Sequence, residues 1–178
     1  MDTIAQNNIM NKIKELKSVI DIVVHKLKEK LEEKESEEIS LAILVLSNYT
    51  EESLKSIVEE LKQTRRRYES YKKVYEILKE AKCILFVIDA EMFIKIDEIF
   101  NEIESKIIEI ERETLIDVIS KACKVVAQQE YYYLLITEDA ELVFVKFYTP
   151  RRIETAVRIT KDNINDEVIN YVINCFAI

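Results

Sequence analysis

Residues 128–160 read QQEYYYLLITEDAELVFVKFYTPRRIETAVRIT, a strand-like stretch after 127 residues that read as helix after helix. YYYLLI and ELVFVKFY are dense in aromatic and β-branched side chains, which suit a pleated, half-buried surface. RIETAVRIT alternates with period two: Ile153, Val157 and Ile159 take one face, and Glu154, Arg158 and Thr160 the other. TEDA and TPRR supply the turns, the second holding Pro150, the only proline. A last helix follows, capped near Asp162 or Asn163, with Val168, Ile169, Val172 and Phe176 facing inward. The tail is thus expected to be β-β-β-α over residues 128–178. Three strands and a helix can close a small core or dock on a larger one.

Upstream, the period changes to that of a helix. Ile13, Leu16, Ile20, Val23, Leu27 and Leu31 recur at three- and four-residue steps, one apolar stripe on a helix over about residues 3–34. Ser36 followed by Glu37 and Glu38 suits a helix start, because the hydroxyl caps free amides and the carboxylates meet the positive end of the dipole. ISLAILVL then reads as a short buried helix. Thr50 with Glu51 and Glu52 marks another capped start. Leu54, Ile57, Leu61, Tyr68, Tyr71, Tyr75 and Leu78 carry the stripe to about residue 82, long enough for a coiled-coil seam or the central helix of a bundle. A turn or kink is expected between 84 and 90, with Asp89 capping a fresh start. The stripe resumes with Ile96, Ile99, Phe100, Ile103, Ile107, Leu115, Ile119 and Val126 and ends near 127. The fold class is therefore α+β: a mostly α-helical bundle domain, 1–127, and a small β-rich C-terminal domain, 128–178. On that division, removal of 128–178 leaves 1–127 folded and mostly helical.

Composition excludes much. The 178 residues are 48% hydrophobic and 34% charged, a folded chain with a heavily ionised surface. The 27 Ile and 26 Glu, with abundant Lys, are the bias of chains from hot environments, and an AT-rich genome gives a similar one. No run of about 18 uncharged apolar residues offers a membrane span, and the N-terminus lacks the pattern of a signal peptide. The chain is expected to be cytoplasmic. It contains no glycine, so it has no phosphate-cradling loop and no nucleophile elbow. The single histidine, His25, reads as a solvated helix residue. Cys83, Cys123 and Cys175 are far apart and read as buried small hydrophobes, not zinc ligands. Asp89 and Glu91, and Glu138, Asp139 and Glu141, are the carboxylates a metal would need, but they fall at a helix start and a hairpin turn. No catalytic residue, cofactor or metal is expected, and the chain is not expected to be an enzyme.

Charge is the remaining signal. Residues 61–82 hold eight Lys or Arg against three Glu, +5 in a chain of −8. Such a run is either a solvated face or a partner-facing patch. As a patch it comprises Arg65, Arg66, Tyr68, Tyr71, Lys72, Lys73, Tyr75 and Lys79. The acidity of the whole chain argues against strong direct nucleic-acid binding.

A helical domain of about 125 residues ahead of a β module of about 50 resembles, in the archaeal form, a subunit of GINS, the replication complex that links the replicative helicase to a RecJ-like partner. Lys79-Glu80-Ala81-Lys82-Cys83 is similar to the basic pattern that ends that family's long central helix, with Lys for Arg and Cys for Ile. Ile99-Phe100 with Ile103 and Ile107 resembles the pattern of its next helix, and VRITKDNINDEVINYVINCFAI the close of its small domain. That family usually has glycines in the small domain, and this chain has none. The resemblance implies a non-enzymatic assembly subunit in DNA replication, hetero-oligomeric with other protein subunits. The alternative is a self-associating helical scaffold or adaptor, a homo-oligomer, of the kind a thermophile's mobile element encodes.

Overall fold

The computed structural model describes residues 3–177; the side chains of Arg67, Tyr68, Tyr71, residues 81–88, Ala90, Phe93, Ile110 and Glu111 lie outside the description. The class is α+β. Helices α1 (Thr3–Glu33), α2 (Glu37–Ser47), α3 (Glu51–Ile88), α4 (Ala90–Glu111) and α5 (Leu115–Ala122) precede strands β1 (Lys124–Gln129), β2 (Tyr132–Ile136), β3 (Leu142–Thr149) and β4 (Arg152–Ile159), and α6 (Asp166–Cys175) closes the chain.

Local chemistry sets the helix starts. The Ser36 side chain accepts a hydrogen bond from the Ile39 amide at 3.4 Å and caps α2. Thr50 and Ser53 cap α3 reciprocally: the Ser53 amide donates to Thr50 Oγ1 at 3.1 Å and the Thr50 amide to Ser53 Oγ at 2.9 Å. Asp89 separates α3 from α4, its carboxylate accepting from the Met92 amide at 3.1 Å. Helix α6 starts two or three residues later than the sequence suggests. Asn163 is engaged elsewhere, accepting from the Thr160 amide at 2.8 Å and donating to the Arg158 carbonyl at 2.7 Å. Asn165 caps instead, accepting from the Val168 amide at 3.0 Å.

The strands form one antiparallel meander in the order β1-β2-β3-β4. Its register lays apolar rows across the sheet. Leu134, Phe144 and Val157 form one row and Ile136, Leu142 and Ile159 the next, all on one face. That face shares one hydrophobic core with Ile13, Ile20, Val23 and Leu27 of α1, Ala42 and Leu46 of α2, Leu54 and Val58 of α3, and Val168, Ile169 and Val172 of α6. The opposite face carries Tyr133, Leu135, Val145 and Phe147 and is covered by Leu115, Ile116 and Ile119 of α5. The sheet is therefore the middle layer between two helical layers, buried on both faces at β2 and β3, whereas the edge strand β4 is largely exposed.

Two expectations are corrected here. The tail has four strands, not three, because residues 124–129 pair with β2 instead of ending a helix; Val126, taken as the last residue of a helical stripe, is in β1. A bulge between Val125 and Ala127 turns Val126 and Ala127 toward the α1 side while Val125 packs on the α5 side. Nor do the compact units follow the 127/128 division. One comprises the residues up to Lys62 together with those from Leu115 on; the other is Gln63–Thr114. The sheet shares one core with α1 and α2, so the strands belong with the first two helices.

Turns made without glycine leave their mark. Glu130 and Ala140 have φ of 51° and 58°, the left-handed region in which a Cβ is strained. Glu130 is exposed, whereas the Ala140 methyl is buried against the core. Glu130→Gly is therefore expected to stabilise the fold by about 1 kcal/mol, with a smaller gain for Ala140→Gly. Thermal unfolding followed by circular dichroism measures both, and a lower melting temperature for Glu130→Gly contradicts the strain.

Candidate interaction surface

The Gln63–Thr114 unit holds all eight residues of the candidate patch singled out above, Arg65 to Lys79. It is a helical hairpin. The rings of Tyr75 on α3 and Phe100 on α4 stack with centroids 5.0 Å apart. On one continuous helix, residues 25 apart would be separated by about 37 Å, so the chain folds back at Asp89 and the two helices run antiparallel. Phe100 and Ile107 are buried, Tyr75 and Leu78 half-buried.

Arg65, Arg66, Lys72, Lys73 and Lys79 are all exposed on α3. Arg65 pairs along its own helix with Glu69 at 3.2 Å. Tyr75 faces α4 rather than solvent, so it serves the hairpin itself, and the side chains of Tyr68 and Tyr71 lie outside the description. The basic stretch has an acidic counterpart. Helix α4 carries seven carboxylates and two lysines, net −5 against the +5 of residues 61–82. An antiparallel hairpin sets these opposite charges side by side.

The sequence reading missed a second apolar set. Val74 and Ile77 on α3 are 43% and 66% exposed, and Met92 and Ile99 on α4 are 45% and 48% exposed. With 100° per residue, Val74 and Ile77 stand about 100° and 160° to one side of Tyr75, and Met92 and Ile99 about 80° and 100° to one side of Phe100. The rotation has the same sense on both, and since the helices face each other in opposite directions, all four side chains emerge on one side of the hairpin. The signal was present: positions 74, 77, 81, 84 and 88 are Val, Ile, Ala, Ile and Ile at three- and four-residue steps, as are Met92, Ile96, Ile99 and Ile103. The opposite side carries Arg65, Glu69, Lys72 and Glu76, with Ile94 and Ile108 set among charges.

The residues weighed for chemistry are dispersed. His25 is exposed and pairs with Glu29 at 3.1 Å. Burial pushes the Cys175 thiol up to about 12, and burial, followed by the Glu138 charge, raises that of Cys123. Neither supplies a thiolate nucleophile near neutral pH. Cys83 lies outside the description. Glu141 is held by Arg158 at 3.1 Å, and Asp89 caps α4. Among the described residues no three His, Cys, Asp or Glu side chains converge as metal ligands. A cavity of about 250 Å³ between α1 and the β2–β3 turn is lined by Lys12, Glu15, Asp139, Glu141 and Arg158, already partly ion-paired. Among the described residues no helix is long and apolar enough to cross a membrane.

Compared with protein-family models, with curated proteins and with solved structures, the chain gives no match.

Proposed function

We propose that this chain is a non-enzymatic assembly subunit that works in the cytoplasm and docks on other protein chains through the 63–114 hairpin. One observation carries the reading: the open apolar side formed by Val74, Ile77, Met92 and Ile99. Two helices can bury one stripe each against the other, as Tyr75 and Phe100 do. A second stripe on each requires another surface, and clustered exposed apolar side chains mark protein interfaces. The flanking lysines and arginines then tune association rate and salt sensitivity, while the apolar centre sets the lifetime of the complex.

Within this role, a GINS-like component linking replicative helicase and partner proteins is the more specific reading. It is favoured by α4, where Phe100 and Ile107 of the Ile99-Phe100-Ile103-Ile107 pattern are buried. Light scattering of the purified chain, alone and co-expressed with other replication proteins of its source, is the test. A complex of about four chains with a second subunit is expected for the GINS-like role. A mass of one chain under every condition overturns the assembly role altogether.

A further inference from the structure

We infer that the groove between the end of α1 and the outer side of α2 docks a short amphipathic helix of another protein, apolar along one side and carrying lysine or arginine at the end that meets Glu35 and Glu37. The groove lies in the unit that holds the sheet. It is a second surface beyond the hairpin and stands whether or not the hairpin docks.

The floor of the groove comes from ISLAILVL. Ile39, Ala42 and Leu46 recur at three- and four-residue steps and are buried in the core. With 100° per residue, Glu37, Leu41 and Leu44 gather on another side of α2, about 100° to 160° around from Ala42. Leu44 is 61% and Leu41 39% exposed, and with Leu31 of α1 they line an open groove of about 690 Å³. Glu37 and Leu44 are about 10 Å apart along the axis, room for two turns of a helix laid alongside. An apolar groove of that length takes the apolar side of an amphipathic helix.

Charge selects the occupant. Residues 32–38 hold five glutamates and one lysine, net −4. The N-terminus of α2 carries only about half a positive charge, so it offsets a small part of that. One carboxylate is already engaged: the Ser36 hydroxyl donates to Glu38 at 2.7 Å. That bond first, with Lys34 as the smallest contribution, holds the Glu38 carboxyl below its usual range. Glu32, Glu33, Glu35 and Glu37 form no ion pair among the described residues. Glu35 and Glu37 line the groove beside its leucines, and no cation among the described residues lines it. Lys28, one turn before Leu31, lines the adjacent hollow with Ser47, past the far end of α2. The groove is therefore negative where α2 begins and positive beyond where it ends. A helix running antiparallel to α2, with lysine or arginine in its last turn, meets Glu35 and Glu37 with the end where its own dipole favours positive side chains. A second copy presenting the same groove would bring the same run of glutamates, and like charges oppose association.

The test is a nuclear magnetic resonance titration of the full isotope-labelled chain with a synthetic helical peptide. The peptide has leucines at i, i+3, i+4 and i+7 and lysines in its last turn. Shifts are expected to concentrate in residues 31–44. Glutamates in place of the peptide's lysines should weaken binding by about 10-fold, as should Glu35→Gln with Glu37→Gln, the loss expected for two exposed ion pairs. Leu41→Ala with Leu44→Ala should weaken it by about 10-fold or more, since the apolar floor is removed. Circular dichroism should be unchanged in all variants, because the four positions are exposed. The altered peptide tests the charge without touching the fold at all. Shifts confined to residues 63–114, no shifts, or equal binding of both peptides overturns the inference. So does self-association of the free chain that Leu44→Ala abolishes, which assigns the groove to a second copy. The hairpin's assembly role is read separately, by light scattering with co-expressed partners, so either can fail alone.

Discussion

Removing residues 128–178 is expected to abolish cooperative folding of α1 and α2. Twelve buried residues of the shared core come from α1, α2 and the start of α3, and eleven come from residues after 127. Fully burying a Val, Leu or Ile side chain is worth about 1.5–3 kcal/mol. If each of the twelve that remain lost even half its cover, the total would be on the order of 10 kcal/mol, as large as the whole stability of a typical domain. A cut after 127 also leaves only the first four residues of β1, without their partner β2. The truncated chain should show no cooperative thermal transition in circular dichroism and should bind a dye for exposed apolar surface. A sharp transition with the α1–α2 helical signal intact would restore the boundary at 127/128. A deletion that respects the units, excising 63–114 and joining Lys62 to Leu115 through a flexible linker, should by contrast keep a cooperative transition. It spares every residue of the shared core.

Much of the fold was legible because it is decided locally. Ser36, Thr50 and Asp89 announce helix starts through side chains that reach amides three residues on, a relation visible in sequence. The stripe from Ile13 to Leu27 has one period and one buried face, and Val157 and Ile159 share one face as their spacing suggests, but Ile153, expected with them, pairs with Phe147 of the other face past a bulge and is 38% exposed. The failures have non-local causes. Strand β1 was hidden because its bulge breaks the period of two that betrays a strand. The unit boundary was hidden because nothing in residues 1–62 says that the surface covering them lies more than 70 residues downstream. Asn163 read as a helix cap, and its bonds to the Thr160 amide and the Arg158 carbonyl remove it from that duty.

The candidate surface was half legible for a related reason. Lysines and arginines stand out by composition, whereas Val74 and Ile77 sit one position before Tyr75 and Leu78 and look like breadth of a single stripe. Only the stack of Tyr75 on Phe100 fixes which stripe faces inward and so leaves the other outward. The acidity of α4 is likewise plain in sequence. Its meaning, a complement to residues 61–82, depends on the fold-back at Asp89.

Phe144→Ala is expected to destabilise the unit containing the sheet by about 3–5 kcal/mol, the range for a buried phenylalanine truncated in a packed core. Phe144 is fully buried near the middle of β3, an interior strand. Its ring stacks on Tyr171 of α6 with centroids 4.5 Å apart and planes 1° from parallel. It lies tilted against Tyr132 at 6.2 Å and pairs across strands with Leu134 and Val157. Alanine leaves a cavity that these neighbours cannot collapse to fill, because the sheet fixes two of them and α6 is fixed by Val168, Ile169 and Val172. At about 2–4 °C per kcal/mol for a chain of this size, the melting temperature should fall by about 6–20 °C. Tyr148→Ala is the matched control: the same strand, but 65% exposed. It should cost no more than about 0.5 kcal/mol. Urea titrations of both variants followed at 222 nm give the two costs directly. Equal, small costs would mean that the face of the sheet bearing Phe144 does not pack on α6, and the shared core of sheet and helices would have to be redrawn. A large cost for Phe144→Ala that lowers the transition of sheet and α1–α2 together is the signature of one cooperative unit built from the two ends of the chain.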